Sequence, residues 1–294
     1  MSHLQLSNGR RLHYEVSRPI EPGATALVFH HGTPGGGLIW DGLAAAAVRQ
    51  GWPVVMSSRP GYATSDRDQG RSVADVAADV AELVDHLGIG RFVTAGWSGG
   101  GPHALACGTL LGPRCAAVAT IAGVAPFGAE GLDWTEGMGP ENVEEFELLI
   151  AGEPGLEAKM AQDLALLAEV RADQIADELG GLISAPDRAC LDDGFDDFMA
   201  AWFRLAVSTG ADGYWDDNVA LLADWGFDLG AIEVPVSAWR ADLDLMVPPS
   251  HGEWLAAHVP GSSGIAKEGE GHISLLLNYI DDIIAQLAGD AAAL

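Results

Sequence analysis

The sequence predicts an α/β fold: a mostly parallel sheet with helices on both faces and an inserted, all-helical block. Three observations predict it. Short apolar runs without alternation, such as Ala24-Thr-Ala-Leu-Val-Phe29, read as strands covered on both faces. These runs alternate with stretches of helical spacing, the rhythm of parallel strands joined by crossovers. The rhythm then stops between about Pro126 and Ile232, where no strand pattern appears. A chain of 294 residues with 48% hydrophobic content is long enough for one large core plus an insertion, and too apolar for disorder.

The elements follow in order. Leu4–Leu6 and Leu12–Val16 flank Asn8-Gly9, a dipeptide that tolerates the positive φ of a tight reversal, and so predict a hairpin. The run 24–29 is the next strand and ends in His30-His-Gly-Thr-Pro-Gly35. Residues 38–49 read as a helix and 53–57 as a strand. Val73, Val76, Val80, Leu83 and Leu87 recur at helical spacing within 72–87, with Ser72 able to cap the start and Gly88 to end it. A strand at 91–95, a helix at 99–111 and a strand at 115–121 complete the first half. Helical stretches follow near 141–151, 156–180, 192–207 and 215–224. The rhythm returns with a strand at 234–239, a helix at 249–258, a strand at 263–266 and a last helix near 273–288. The expected organisation is a core of residues 1–125 and 233–294, with 126–232 as a helical cap.

Charge narrows the function classes. The net charge of -27 opposes binding to nucleic acid or to an anionic membrane surface, since both are polyanions. Residues 126–234 hold 25 of the 42 acidic residues and only 4 of the 15 basic ones. Such a block is expected to present solvated acidic faces, or alternatively a field that attracts a cationic or free-amine substrate. Cys107, Cys115 and Cys190 form no CxxC pair, which fits reduced thiols and gives no zinc pattern. The N-terminal residues lack the apolar stretch of a secretory signal, and no apolar run reaches the length of a membrane span, so a cytoplasmic protein is expected.

The residues that carry chemistry lie where strands end. Gly96-Trp-Ser98-Gly-Gly100 sits between a buried strand and a helix. A serine there is exposed on a sharp turn, small neighbours relieve the crowding, and the helix directs unpaired N–H groups at the reacting atom. His31-Gly-Thr33-Pro34-Gly35 ends the preceding strand and supplies a second backbone donor at Thr33 to join Gly99 in an oxyanion hole; Pro34 has no N–H to donate. Arg240-Ala-Asp242-Leu-Asp244-Leu-Met-Val-Pro248 offers two acids that could orient a histidine, and spacing does not separate them. Glu270-Gly-His272 places a base after the last strand. Trp97, Met246, Trp202 and His31 are the expected pocket residues. Cys107, Cys115, His30 and His103 read as packing residues, and Arg59 and Asp66 as a structural pair.

The order Ser98, Asp244, His272 resembles that of α/β-hydrolases with a helical cap, over residues 10–125 and 232–290. The resemblance implies that Asp244, three residues before Val247-Pro248 begins to close the loop, is the triad acid, and it supports Thr33 as the second oxyanion donor. The loop His31-Gly-Thr-Pro-Gly-Gly36 is similar to that of proline iminopeptidases and many small esterases, although the elbow has Trp97 before Ser98 where those peptidases have Gly-Gly-Ser-Trp-Gly. A serine nucleophile sets the chain apart from capped dehalogenases and epoxide hydrolases, which use aspartate. The resemblance implies a serine hydrolase acting on an ester or amide of a small, partly apolar substrate, without metal or cofactor. Alternatives are an aminopeptidase and a non-catalytic small-molecule binder.

Overall fold

The apolar runs form a single sheet in the computed structural model, which describes residues 2–293 apart from the side chains of 192 and 193. The strands are β1 (Ser2–Gln5), β2 (Arg11–Val16), β3 (Ala26–His30), β4 (Val54–Ser57), β5 (Phe92–Trp97), β6 (Cys115–Ile121), β7 (Val236–Ala241) and β8 (Ser262–Lys267). Their order in the sheet is β1-β2-β4-β3-β5-β6-β7-β8. The β1–β2 hairpin and the β2–β4 pair are antiparallel, and every other pair is parallel. After β3 the chain steps to β4 on one side and then back across to β5 on the other. That reversal opens a crevice beyond the carboxyl ends of β3 and β5, where ligands bind in open sheets.

Alternate residues of each strand point to opposite faces. In β3, Ala26 and Val28 belong to one buried cluster while Leu27 and Phe29 belong to the other. Helices α2 (Asp75–His86), α3 (Gly101–Leu110) and α10 (Pro249–His258) contribute to the first cluster; α1 (Asp41–Arg49) and α11 (His272–Ala292) contribute to the second. Both faces are therefore covered, which is why the central strands read as continuous apolar runs rather than alternating ones.

Between β6 and β7 the described residues form only helices and turns: α4 (Pro140–Ala151), α5 (Leu156–Ala165), α6 (Ile175–Glu178), α7 (Ala185–Cys190), α8 (Asp196–Ala206) and α9 (Asp212–Leu222). The single helix expected over 156–180 is broken into short pieces, and α7 was not expected. Ser72 does not cap α2 in the expected sense: its hydroxyl and N–H donate to Asp75, the first residue of the helix. Gly88 does take the left-handed conformation just past the end of α2. The acidic block is not wholly solvated either, because Asp187, Asp216 and Asp217 are buried. Among the described residues no helix is long and apolar enough to cross a membrane.

Candidate active site

Ser98 occupies the turn from β5 into α3 with φ +56°, in the left-handed region that costs a residue with a side chain about 1–3 kcal/mol. The turn tolerates nothing larger than glycine two residues before the serine and two residues after it. A Cβ at Gly96 would overlap the carbonyl oxygen of Gly100, and one at Gly100 would overlap that of His30. Strain at the serine and crowding at Gly96 have the same cause, the reversal from strand to helix within three residues, while Gly100 is crowded by the end of the neighbouring strand β3.

The parallel register sets His30 opposite Gly96, so the loop after β3 emerges beside this turn. Thr33 lies directly against Gly99, where an added Cβ would overlap the Thr33 hydroxyl. Ser98, Gly99 and Thr33 all line one cavity of about 140 Å³. Sites for drug-sized ligands run to roughly 300–1,000 Å³. This cavity suits something smaller.

His272 is the first residue of α11 and is 1% exposed. Its Nδ1 lies 2.8 Å from Oδ2 of Asp244, on the loop after β7. The other oxygen of Asp244 accepts from the N–H groups of Met246 at 2.9 Å and Val247 at 2.8 Å. Those two bonds fix the carboxylate plane and leave Oδ2 for the ring. Asp242, the other acid that spacing allowed, instead accepts from the exposed Gly269 N–H at 2.7 Å, away from the imidazole. His272 lines the same cavity as Ser98. Its carbonyl accepts from Nε1 of Trp97 at 3.2 Å, and the Trp97 ring lies 5.2 Å from the imidazole.

Of the expected pocket residues, Trp97, Trp202 and Met246 line the cavity. Trp202 stacks on Trp97 at 5.4 Å and ties its insertion helix to the loop after β3 by donating to the Gly36 carbonyl at 2.7 Å. His31, expected in the pocket, does not line the cavity and instead braces the loop after β3 from beneath. It is fully buried, its Nδ1 lies 2.7 Å from the Gly32 carbonyl, and its Nε2 accepts from the Arg59 N–H. An acceptor role makes that nitrogen unprotonated, and burial together with the nearby Arg59 charge pushes the imidazole pKa well below its ordinary value.

Beneath the Thr33 loop lies a cluster that the sequence did not reveal. Arg59 does not pair with Asp66, which sits with Arg11. It pairs with Asp217 of α9, both side chains being essentially inaccessible. Asp217 also accepts from Arg71 at 2.5 Å, Tyr62 at 2.9 Å and the Thr33 hydroxyl at 2.8 Å. Burial alone would raise this carboxyl, but Arg59 and Arg71 hold it well below the usual carboxylate range. Arg59 donates in addition to the carbonyls of His31 and Gly32. Neither guanidinium stood out locally, because the partner is more than 140 positions away.

A second residue that the sequence did not single out is Glu145 of α4. It lines the cavity and accepts from Tyr214 at 2.5 Å and from Asn218. Burial raises its pKa, against the lowering effect of the Tyr214 hydrogen bond. Cys107, Cys115, His30 and His103 are buried packing residues, as expected. Among the described residues no group of three or more His, Cys, Asp or Glu side chains is placed to hold a metal ion.

Comparison with known proteins agrees with this architecture. A family profile described as alpha/beta hydrolase fold matches residues 25–146. A non-heme haloperoxidase of Rhodococcus erythropolis is 26% identical over 257 residues, covering 84% of each chain. Among solved structures, a bromoperoxidase of Bacillus anthracis superposes with TM-score 0.71 at 20% identity, covering 96% of both chains. The enol-lactonase of Burkholderia xenovorans LB400 superposes with TM-score 0.68 at 22% identity, over 99% of this chain and 100% of the other. An esterase of Exiguobacterium antarcticum superposes with TM-score 0.69 at 18% identity, over 99% of both chains. Sheet order, strand-to-helix turn and profile agree: the chain has the alpha/beta hydrolase fold.

Proposed function

We propose that the protein is a serine hydrolase that cleaves a carboxylic ester or amide of a small, partly apolar substrate. The observation that carries this reading is that His272, paired with the buried Asp244 at 2.8 Å, lines the same cavity as Ser98. In this reading Nε2 of His272 takes the Ser98 proton as Oγ attacks the substrate carbonyl. The N–H groups of Thr33 and Gly99 bind the oxyanion, and the imidazolium returns the proton to the leaving group. Water then attacks the acyl-enzyme with His272 again as base. Asp244 holds the ring in one tautomer throughout. The helical insertion acts as a cap that supplies most of the apolar wall. Two of the structural neighbours, an esterase and an enol-lactonase, support acyl transfer to water.

The test is labelling by a fluorophosphonate probe together with turnover of a p-nitrophenyl ester series. Both should be present in the wild type and absent from a folded Ser98→Ala variant. Ligand-induced stabilisation of a wild type that neither turns over nor labels would instead indicate a binding protein.

Glu145 favours a second reading, a hydrolase for substrates with a free amine. A half-buried carboxylate lines the cavity, and its hydrogen-bond partners Tyr214 and Asn218 are both neutral. Hydrolysis of alanyl or prolyl naphthylamide, suppressed by N-acylation, would select this reading over the ester one.

A further inference from the structure

We propose that Asp187, carried by the helical insertion, is a positioning residue for His272. The inference rests on the reading of His272 as the general base.

The first N–H groups of a helix have no partner within it. At the start of α11 the preceding residue is Gly271, which has no side chain to supply an acceptor. The acceptors come instead from the first turn of α7, 85 positions earlier in the chain. Asp187 Oδ1 accepts from the N–H groups of Ile273 at 2.8 Å and Ser274 at 2.9 Å, and Oδ2 accepts from that of His272 at 3.1 Å. Oδ2 also accepts from the N–H and hydroxyl of Ser184 at 3.2 and 2.9 Å. Five donors thus converge on one carboxylate that is fully buried. The positive end of a 21-residue helix offsets its charge. Gly271 is part of the same device, since a Cβ there would overlap both the Ser184 hydroxyl and Asp187.

The consequence falls on the imidazole. Asp187 holds the N–H of His272, Trp97 holds its carbonyl, and Asp244 holds Nδ1. Nε2 is the atom that the proton transfer uses. Trp97 and Asp244 come from the sheet side; Asp187 alone comes from the insertion. The direction of the base toward Ser98 therefore depends on the insertion being docked, and the insertion does more than cover the crevice.

Asp187→Asn in the full chain tests this. An amide has one oxygen, so in either orientation its NH2 faces backbone N–H donors, and the first turn of α11 must shift. Misplacement of a reacting group by about 1 Å costs on the order of 100-fold in rate. We expect kcat on a p-nitrophenyl ester and the rate of fluorophosphonate labelling to fall about 10- to 100-fold in the folded variant, with KM changed less than about threefold. Ser184→Ala, which removes one donor and keeps the carboxylate, should lower kcat severalfold at unchanged KM. Wild-type kcat in folded Asp187→Asn, or in Ser184→Ala should Asp187→Asn fail to fold, overturns the positioning role even if the melting temperature drops. A wild type that is itself neither labelled nor active overturns the hydrolase reading beneath it, a separate result.

Discussion

Arg59 and Asp217 form a buried ion pair, Nη2 to Oδ2 at 2.6 Å, directly beneath the loop of Thr33. Arg59 Nη2 also donates to the Gly32 carbonyl at 2.9 Å. That carbonyl shares its peptide group with the Thr33 N–H, the proposed oxyanion donor, so a cation on the oxygen polarises the N–H on the other side. Removing one partner of a buried pair leaves an uncompensated charge and costs about 3–5 kcal/mol. Asp217→Ala should therefore lower the melting temperature substantially. Turnover should fall further than the loss of folded protein explains, because both the Thr33 hydroxyl and Arg59 lose an anchor. Calorimetry alongside kcat per folded molecule checks both parts; full activity per folded molecule would leave the cluster a purely structural role.

The two acids of the 240–248 loop make a sharp comparison. Asp244→Asn presents an NH2 or an oxygen to His272 but cannot serve the ring and the Met246 and Val247 N–H groups as a carboxylate does. In serine proteases the corresponding change lowers kcat about 10⁴-fold, and a loss of that order is expected here. Asp242→Asn removes only an exposed charge, keeps an oxygen to accept from the Gly269 N–H, and should leave kcat within about twofold, the usual scale for surface changes. Steady-state kinetics on the pair decides it.

Glu145 separates the two substrate classes. If the carboxylate recognises an amine, Glu145→Gln should reduce kcat/KM for free-amine substrates about tenfold or more, since a hydrogen bond to a charged group is worth roughly 1.5–3 kcal/mol. Neutral esters should be hydrolysed as well or better, because a carboxylate that burial penalises is gone. Equal losses on both classes would count against an amine subsite.

Acidification should destabilise the fold well before most carboxylates titrate. Burial depresses the pKa of His13, His103 and His251 to about 4, and lowers His30 and His31 as well. Below the unfolded value of 6.5 the unfolded chain binds protons that the folded chain refuses. Stability that is constant above about pH 7 is therefore lost as pH falls from there toward 4. Asp217, held low by its two arginines, adds a loss in the same direction below pH 4. Glu145 and Asp79, raised by burial, oppose it. Melting temperatures between pH 8 and 4 should show a steep fall beginning near pH 6.5, and a flat profile to pH 5 would contradict the buried-histidine account.

Much of this was legible from the chain because it is local. Strand β6 spans the residues that its apolar run marks, and β3 and β5 lie within a residue or two of theirs. Gly96 and Ser98 declare the elbow because the crowding of Gly96 against the Gly100 carbonyl and the strain at the serine arise within five residues, whereas Gly100 is also held small by the His30 carbonyl across the sheet. The helical character of the insertion follows from periodicity, whereas its breaks do not: α5 ends and short turns begin where packing, not sequence spacing, decides.

The sequence by itself determined the sheet, the strained serine and the strand-end placement of the candidate catalytic residues, since each follows from periodicity or from contacts between near neighbours. Spacing left Asp242 and Asp244 open, the resemblance implied Asp244, and the tertiary structure sets Asp244 against the imidazole; only that structure decided that Arg59 turns from Asp66 to Asp217 and that His31 is not among the cavity-lining residues. Buried charges choose their partners by the desolvation they share, and which groups are desolvated together is fixed by the docking of distant helices, a property no local window contains.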